Sequence, residues 1–362
     1  MPDFVPGLVL SEHYYEEAVG PILARNFPRL RYAAGLIGSG SDVLGYDTAI
    51  STDHHWGPRL LLFLAEEDHS ALRSDIDDAL RRELPYSFMG YPTSFGAPDR
   101  LGVRLLEETT SGPVDHMVEI TTVGTFFKSY LGYDPGAPIP PAGWLTFSEH
   151  RLLGSTGGRV FHDEPGELSA VRASLAYYPD AIWYCLMAAQ WNLIAEEEAF
   201  MARAGDVGDE LGSRVIAARL VRYLMRLCFL MERRYAPYSK WFGTAFSRLD
   251  CAGALVPLLE GALAGRDWRE REVSLSEAYS TVAQMHNRLG ITGPLDPNVS
   301  GYYERPYRVI GAGRFAGELE KLVVGDRVLE TATRIGSVNQ FLDSTPVGDD
   351  LEMLRRLKCL YE

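Results

Sequence analysis

The chain has 362 residues, of which 35 are Lys or Arg and 49 are Asp or Glu, giving a formal net charge of −14. This length suggests about two domains, and a hydrophobic fraction of 46% excludes a disordered chain. The acid excess argues against a nucleic-acid binder and against docking on anionic lipid, but it leaves room for an anionic substrate in a local basic pocket.

In chain order, the N-terminus has no basic segment and no long apolar run of the kind a secretory leader carries, and the apolar run Leu60–Ala65 is far too short to span a bilayer. The expectation is a cytoplasmic protein. Leu10 to Asn26 predicts a helix, with Ser11 as a cap and Glu12, Glu16 and Glu17 in the early turns that the helix dipole favours. Tyr32–Ile37 reads as a strand ending in the turn Gly38-Ser39-Gly40-Ser41. Leu60–Leu64 is another run of strand length. His69–Leu84 has helical spacing through Leu72, Ile76, Leu80 and Leu84. Val103–Leu106 and His116–Val123 are further strand candidates.

Four prolines within Pro135–Pro141 place a linker there. Beyond it long apolar stripes predict helices over Leu168–Tyr177, Ala181–Ala204, Leu211–Tyr235, Trp241–Ala264, Ser274–Leu289 and Asp349–Leu360, with stops at Gly205, Gly265 and Gly290. The expected fold class is α+β: a mixed-sheet domain over residues 1–140 and an all-helical domain over 141–362. The cysteines, Cys185, Cys228, Cys251 and Cys359, have no C-x-x-C spacing and read as buried hydrophobes rather than metal ligands.

The stretch from Gly38 to Arg59 carries the chemistry. It is neither a P-loop nor a G-x-G-x-x-G fingerprint. A Gly-Ser turn after a strand lets backbone N–H groups approach phosphate oxygens, and an acid before the next strand can hold Mg²⁺ against the same phosphates. Gly38, Ser39 and Ser41 are therefore candidate phosphate-cradling residues, and Asp53 a candidate metal ligand.

Gly38-Ser39 followed by Ser51-Thr52-Asp53-His54-His55 resembles the nucleotidyltransferase superfamily signature, Gly-Ser then Ser-Asp-x-Asp. The two-domain layout is similar to that of kanamycin-type nucleotidyltransferases. The chain also resembles a large, poorly characterised bacterial family with the patterns G-S-x-S-x-x-L-G-x-D and S-T-D-H-x-W-G-P-R. Later blocks like Tyr235–Trp241, Met285-His286-Asn287 and Arg305–Ile310 extend that likeness along the chain. The resemblance implies transfer of a nucleoside monophosphate, AMP from ATP, to a small-molecule acceptor, with Mg²⁺ or Mn²⁺ as cofactor. It makes Asp53 the first metal carboxylate and puts His55 where the superfamily has its second. That is a departure, because imidazole is a weak partner for Mg²⁺. Asp47 is a substitute oxygen ligand, and Glu119 the expected third carboxylate and base, with Asp115 second. The alternative is a nucleotide-binding or regulatory protein with this fold and no transfer. Arg219, Arg222 and Arg226 share a helix face, which reads either as salt bridges to the acid excess or as a wall holding phosphates. Arg222 and Lys240 are the nucleotide-binding candidates there. Arg305, Arg308 and Arg314 are further candidates for the same cleft, and Tyr235, Tyr238 and Trp241 for stacking on a base. For His286 and Asn287 the choice between pocket and cap stays open. The expected partners are an NTP and a small acceptor, with no nucleic acid and no membrane.

Overall fold

The computed structural model describes residues 3–100 and 102–361. The chain divides into two compact units: residues up to Pro138 with Arg151–Ala176, and Ile139–His150 with the chain from Tyr177 onward. The sequence reading expects a single division at residue 140. The return of Arg151–Ala176 to the first unit was not expected.

The first unit opens with helix α1 (Gly7–Tyr14), a π-helical turn (Tyr15–Val19) and α2 (Gly20–Asn26). The π turn has a local cause. Pro21 has no N–H for the carbonyl four residues back, and the Gly20 N–H donates instead to the Tyr15 carbonyl. Strands β1 (Tyr32–Leu36) and β2 (Arg59–Leu64) follow, then α3 (Glu66–Glu83). Acids in the first turn of α3 and Arg81 and Arg82 in its last suit the helix dipole. Two short ladders, β3 (Ser87–Phe88) with β4 (Tyr91–Pro92) and β5 (Ser94–Phe95) with β6 (Leu106–Glu107), precede β7 (Met117–Thr121) and α4 (Val123–Tyr130). Of the expected Val103–Leu106 strand only its end is extended. In the second unit α5 (Pro141–Thr146) follows. Helix α6 (Glu149–Thr156), whose residues from Arg151 belong to the first unit, leads to β8 (Arg159–Asp163) and α7 (Glu167–Ser174).

The sheet order is β7-β2-β1-β8, with β2 and β7 parallel and the other pairs antiparallel. One face carries Ala34, Leu60, Leu62, Leu64, Val118 and Ile120 into a core with Ile22, Leu23, Ile76 and Leu80. The other face carries Leu61 opposite Glu119 and Phe63 opposite Thr121. Phe126 of α4 meets Phe63 edge-on at 5.6 Å, and Glu119 stays exposed. Strand direction has a consequence for function. β1 runs antiparallel to β2, and β2 parallel to β7. The turn after β1, the loop before β2 and the start of β7 therefore share one end of the sheet.

The second unit is mostly helical: α8 (Asp180–Glu197), α9 (Phe200–Asp206), α10 (Glu210–Met231), α11 (Ser239–Phe246), α12 (Ala252–Ala264), α13 (Trp268–Leu289), and, after a hairpin of β9 (Ser300–Tyr302) and β10 (Arg305–Val309), α14 (Gly313–Glu320) and α15 (Arg327–Ile335). Its core includes Trp191 stacked on Phe315 at 4.4 Å. Two stripes expected as single helices are broken by carboxylates that capture backbone. The Glu232 carboxylate accepts the Asp250 and Cys251 N–H groups, each at 2.8 Å, between α11 and α12. Glu198, after α8, accepts from Ile310 and Gly311 at 2.9 and 3.0 Å. Among the described residues no helix is long and apolar enough to cross a membrane.

Helix α6 approaches the turn after β1 closely. A Cβ on Gly154 would lie 2.5 Å from the Gly38 carbonyl and 2.2 Å from the Tyr130 hydroxyl. Gly154→Ala is expected to cost about 1–3 kcal/mol, as overpacking does. Urea unfolding checks this, and an unchanged midpoint would show that the two segments can separate freely.

Candidate functional site

The turn after β1 is built by three constraints. Gly38, at φ +96°, donates its N–H to the Gly154 carbonyl at 2.9 Å. Arg59, the first residue of β2, reaches beneath the turn. Its Nε and Nη2 bond both oxygens of Asp42 at 2.8–3.1 Å, and Nη2 also donates to the Ser39 carbonyl at 3.1 Å. Asp42 is 2% exposed, so this bidentate pair is nearly dry. Gly40, at φ +138°, sits directly on the pair, where a Cβ would strike an Asp42 oxygen at 2.1 Å.

With the turn held in this way, nothing among the described residues accepts from the N–H groups of Ser39, Gly40 and Ser41. Successive backbone N–H groups without acceptors on a partly exposed turn form a concavity suited to an anion.

The acids expected as metal ligands are placed differently from one another. Asp47 is committed. Its Oδ2 accepts from the Gly7 N–H at 2.7 Å and from the Trp56 indole at 3.1 Å, so it braces the loop. Asp53 is exposed beside His54, Oδ1 to Nδ1 at 3.0 Å. His55 is partly buried at φ +52°, and its N–H bonds the Arg104 carbonyl at 3.2 Å. Burial first, then Arg59, His54 and Arg104, push its pKa below the ordinary histidine value, so the ring is neutral at pH 7. Its Nδ1 is buried and has no hydrogen-bond partner in the structure. Glu119 projects from β7 on the exposed face, two residues in from the end of the sheet that carries the turn. Asp115 pairs with Arg81 and Arg104.

Among the described residues no three His, Cys, Asp or Glu side chains are gathered to hold a metal ion. The orphaned His55 nitrogen is one available donor, but two guanidiniums stand near it and Asp47 is already used. As arranged, Asp47, Asp53, His55 and Glu119 do not form a site for Mg²⁺ or Mn²⁺.

In the second unit each arginine of the α10 stripe meets an acid. Arg219 pairs with Glu197 at 2.8 Å, Arg222 with Asp343, and Arg226 with Glu149 at 3.3 Å. Arg233, beyond the helix end, pairs with Asp180 at 2.6 Å and lies over Trp183. Burial pushes the Glu149 pKa up and the Arg226 pKa down, each opposed first by the charge of the other. Lys240 is exposed and lies over the Trp241 ring at 5.2 Å.

A cavity of about 500 Å³ lies within this unit, lined by Glu149, Arg222, Arg226, Tyr238 and Asp343 among others. The sequence had flagged the arginines but missed Glu149 and Asp343, which lie far from them in the chain. Tyr238 lines this cavity, whereas Lys240, Arg305, Arg308 and Arg314 do not. Arg314 instead bonds the Asp296 and Ile310 carbonyls.

His286 and Asn287 prove structural. The Trp191 indole donates to His286 Nδ1 at 3.2 Å, and Nε2 meets the Thr292 hydroxyl at 3.0 Å. Asn287 exchanges two bonds with the backbone of Leu295.

Residues 144–242 match the model of a family described as a domain of unknown function, DUF4037. No curated protein matches the chain. Among solved structures it is similar to a nucleotidyltransferase-like protein from Exiguobacterium sibiricum 255-15, at 12% identity over 75% of each chain, with a TM-score of 0.32.

Two stability tests follow. Asp42→Ala leaves a nearly buried guanidinium without its partner and should cost about 3 kcal/mol in urea unfolding. A near-zero change would mean that the turn does not depend on the pair. Burial holds the His286 pKa at about 4. The folded value lies below the unfolded one, so the unfolded chain binds the extra proton between about pH 6.5 and 4. The stability this group supports is present above that window and is lost as pH falls through it. His286→Asn should flatten the stability–pH slope there by up to about 1.4 kcal/mol per pH unit, and an unchanged slope would remove His286 from the account.

Proposed function

We propose that the chain binds a nucleoside triphosphate at the Gly38–Ser41 turn and moves its nucleoside monophosphate, most plainly AMP from ATP, to a small-molecule acceptor with release of pyrophosphate. The observation that carries this reading is the row of open N–H groups at Ser39, Gly40 and Ser41, in a turn fixed from beneath by Arg59 and Asp42. Donors fixed before the substrate arrives need no reorganisation as charge builds on the phosphates. Glu119 supports the reading by its register. It is an exposed carboxylate on the same sheet, and a carboxylate of this kind can accept a proton from an attacking hydroxyl or amine. Asp53, exposed on the loop at the same end of the sheet, is the second acidic group of the site. The chain's net −14 favours a small acceptor over a polyanion.

A second reading, binding without transfer, has its own observation. His55 stands where the resemblance expects a carboxylate, and the acids are not gathered as a metal site.

One experiment separates them. The protein is mixed with each NTP and Mg²⁺ or Mn²⁺ in a cell extract, and pyrophosphate and nucleotidylated products are followed by mass spectrometry, with thermal shift read in parallel. Transfer predicts product that disappears in Asp53→Ala and falls about 10²–10⁴-fold in Glu119→Gln. Thermal stabilisation by NTP with no NTP consumed supports the second reading. Neither stabilisation nor product would sink both.

A further inference from the structure

Helix α10 presents two rows side by side. Val221 and Met225 recur at i and i+4, and Arg222 and Arg226 stand one position on, so an apolar row runs beside a charged one. Both rows line the cavity of about 500 Å³, a size within the range of pockets that hold drug-sized ligands. The rest of its wall is largely apolar, with Phe242 of α11, Leu263 of α12, and Leu342 and Leu354 from the C-terminal segment. Leu263 is 49% exposed and marks where the cavity opens to solvent.

The charged groups on the wall are matched to one another. Arg226 is tied to Glu149 at 3.3 Å and lies 5.7 Å over the Phe242 ring. Arg222 is tied to Asp343, and Asp349 is engaged as well. An ammonium entering here meets carboxylates that are already held, and a phosphate or carboxylate meets guanidiniums that are already held. Either gives up its water for a partner that must first be taken from another group. Taking one member of the inner pair strands the other, because the Arg226 and Glu149 side chains are only 16% and 9% exposed. Ser148 is in a different position. It lines the cavity, is 6% exposed, and its hydroxyl has no hydrogen-bond partner among the described residues. A nearly buried hydroxyl without a partner costs free energy that a ligand oxygen would recover.

We propose that this cavity binds a neutral molecule with an apolar body and one hydroxyl or carbonyl oxygen, the body against the Val221–Met225 row and Phe242 and the oxygen hydrogen-bonded to Ser148. The proposal does not rest on the nucleotide reading, because every residue in it belongs to the second unit.

The probes are 1-octanol, octylamine and octanoate, one chain carrying a neutral, a cationic and an anionic head at pH 7. Binding to the full chain is read by calorimetry. Octanol is expected to bind saturably and at least about tenfold more tightly than either charged probe. Ser148→Ala should weaken octanol binding about fivefold, the contribution of one neutral hydrogen bond. Leu263→Trp, at a half-exposed position, should fill the opening and abolish octanol binding. Three results would overturn the proposal: octylamine or octanoate binding as tightly as octanol, octanol affinity unchanged in either variant, or no saturable binding of octanol. Should one variant fail to fold, the three probes on the unchanged chain and the other variant decide.

Discussion

The ion pair of Asp42 and Arg59 governs the first unit. It joins the loop after β1 to the first residue of β2, and those strands are antiparallel neighbours. Between them the chain runs through Gly38 to Pro58 without a strand or α-helix. Irregular backbone of that length carries a large ordering cost, and what offsets it here is a few directed bonds together with the buried side chains of Val43 and Trp56. Arg59 binds Asp42 with two nitrogens and the Ser39 carbonyl as well, so one side chain sets both the floor and the rim of the turn. Asp47 does the same for the far half of the loop through Gly7 and Trp56. The requirement for glycine at position 40 follows, because the pair leaves no room there for a Cβ.

The same economy of charge runs through the second unit, with a different result. Arg219, Arg222 and Arg226 of the α10 stripe are each paired, so the acid excess of the chain is spent partly on neutralising its own cations. A guanidinium already tied to a carboxylate is a poor hook for phosphate. The backbone N–H groups of Ser39, Gly40 and Ser41, by contrast, have no acceptor among the described residues. Their partial charges are fixed by the turn's shape, and the acid beneath them, Asp42, is itself paired with Arg59.

Much of the fold was legible in the sequence, because runs such as Leu60–Leu64 and the stripe of α10 have one dominant period. The α+β character of the chain and its helical second half came from those patterns. What was hidden was held by interactions between distant residues. Strand β8 is a short edge strand of Arg159-Val160-Phe161-His162-Asp163, partly exposed along its length, and only its pairing with β1 reveals it. The Trp241–Ala264 stripe looks continuous until Glu232 captures the turn inside it. At the site, the Gly-Ser turn was readable because glycine reports backbone need. The commitment of Asp47 was not readable, since a carboxylate looks the same in a sequence whether it braces a loop or awaits a metal.

His55 shows how the turn's support and the chemistry of the loop constrain each other. It lies close enough to Arg59 and Arg104 for both to depress its pKa. A carboxylate at this position would be drawn to the same guanidiniums. It would compete with Asp42 for Arg59, and any success would loosen the floor of the turn. A neutral imidazole makes no such claim, and it leaves Arg59 wholly to Asp42 and Ser39. The departure from the Ser-Asp-x-Asp pattern is thus compatible with a turn held open for phosphate.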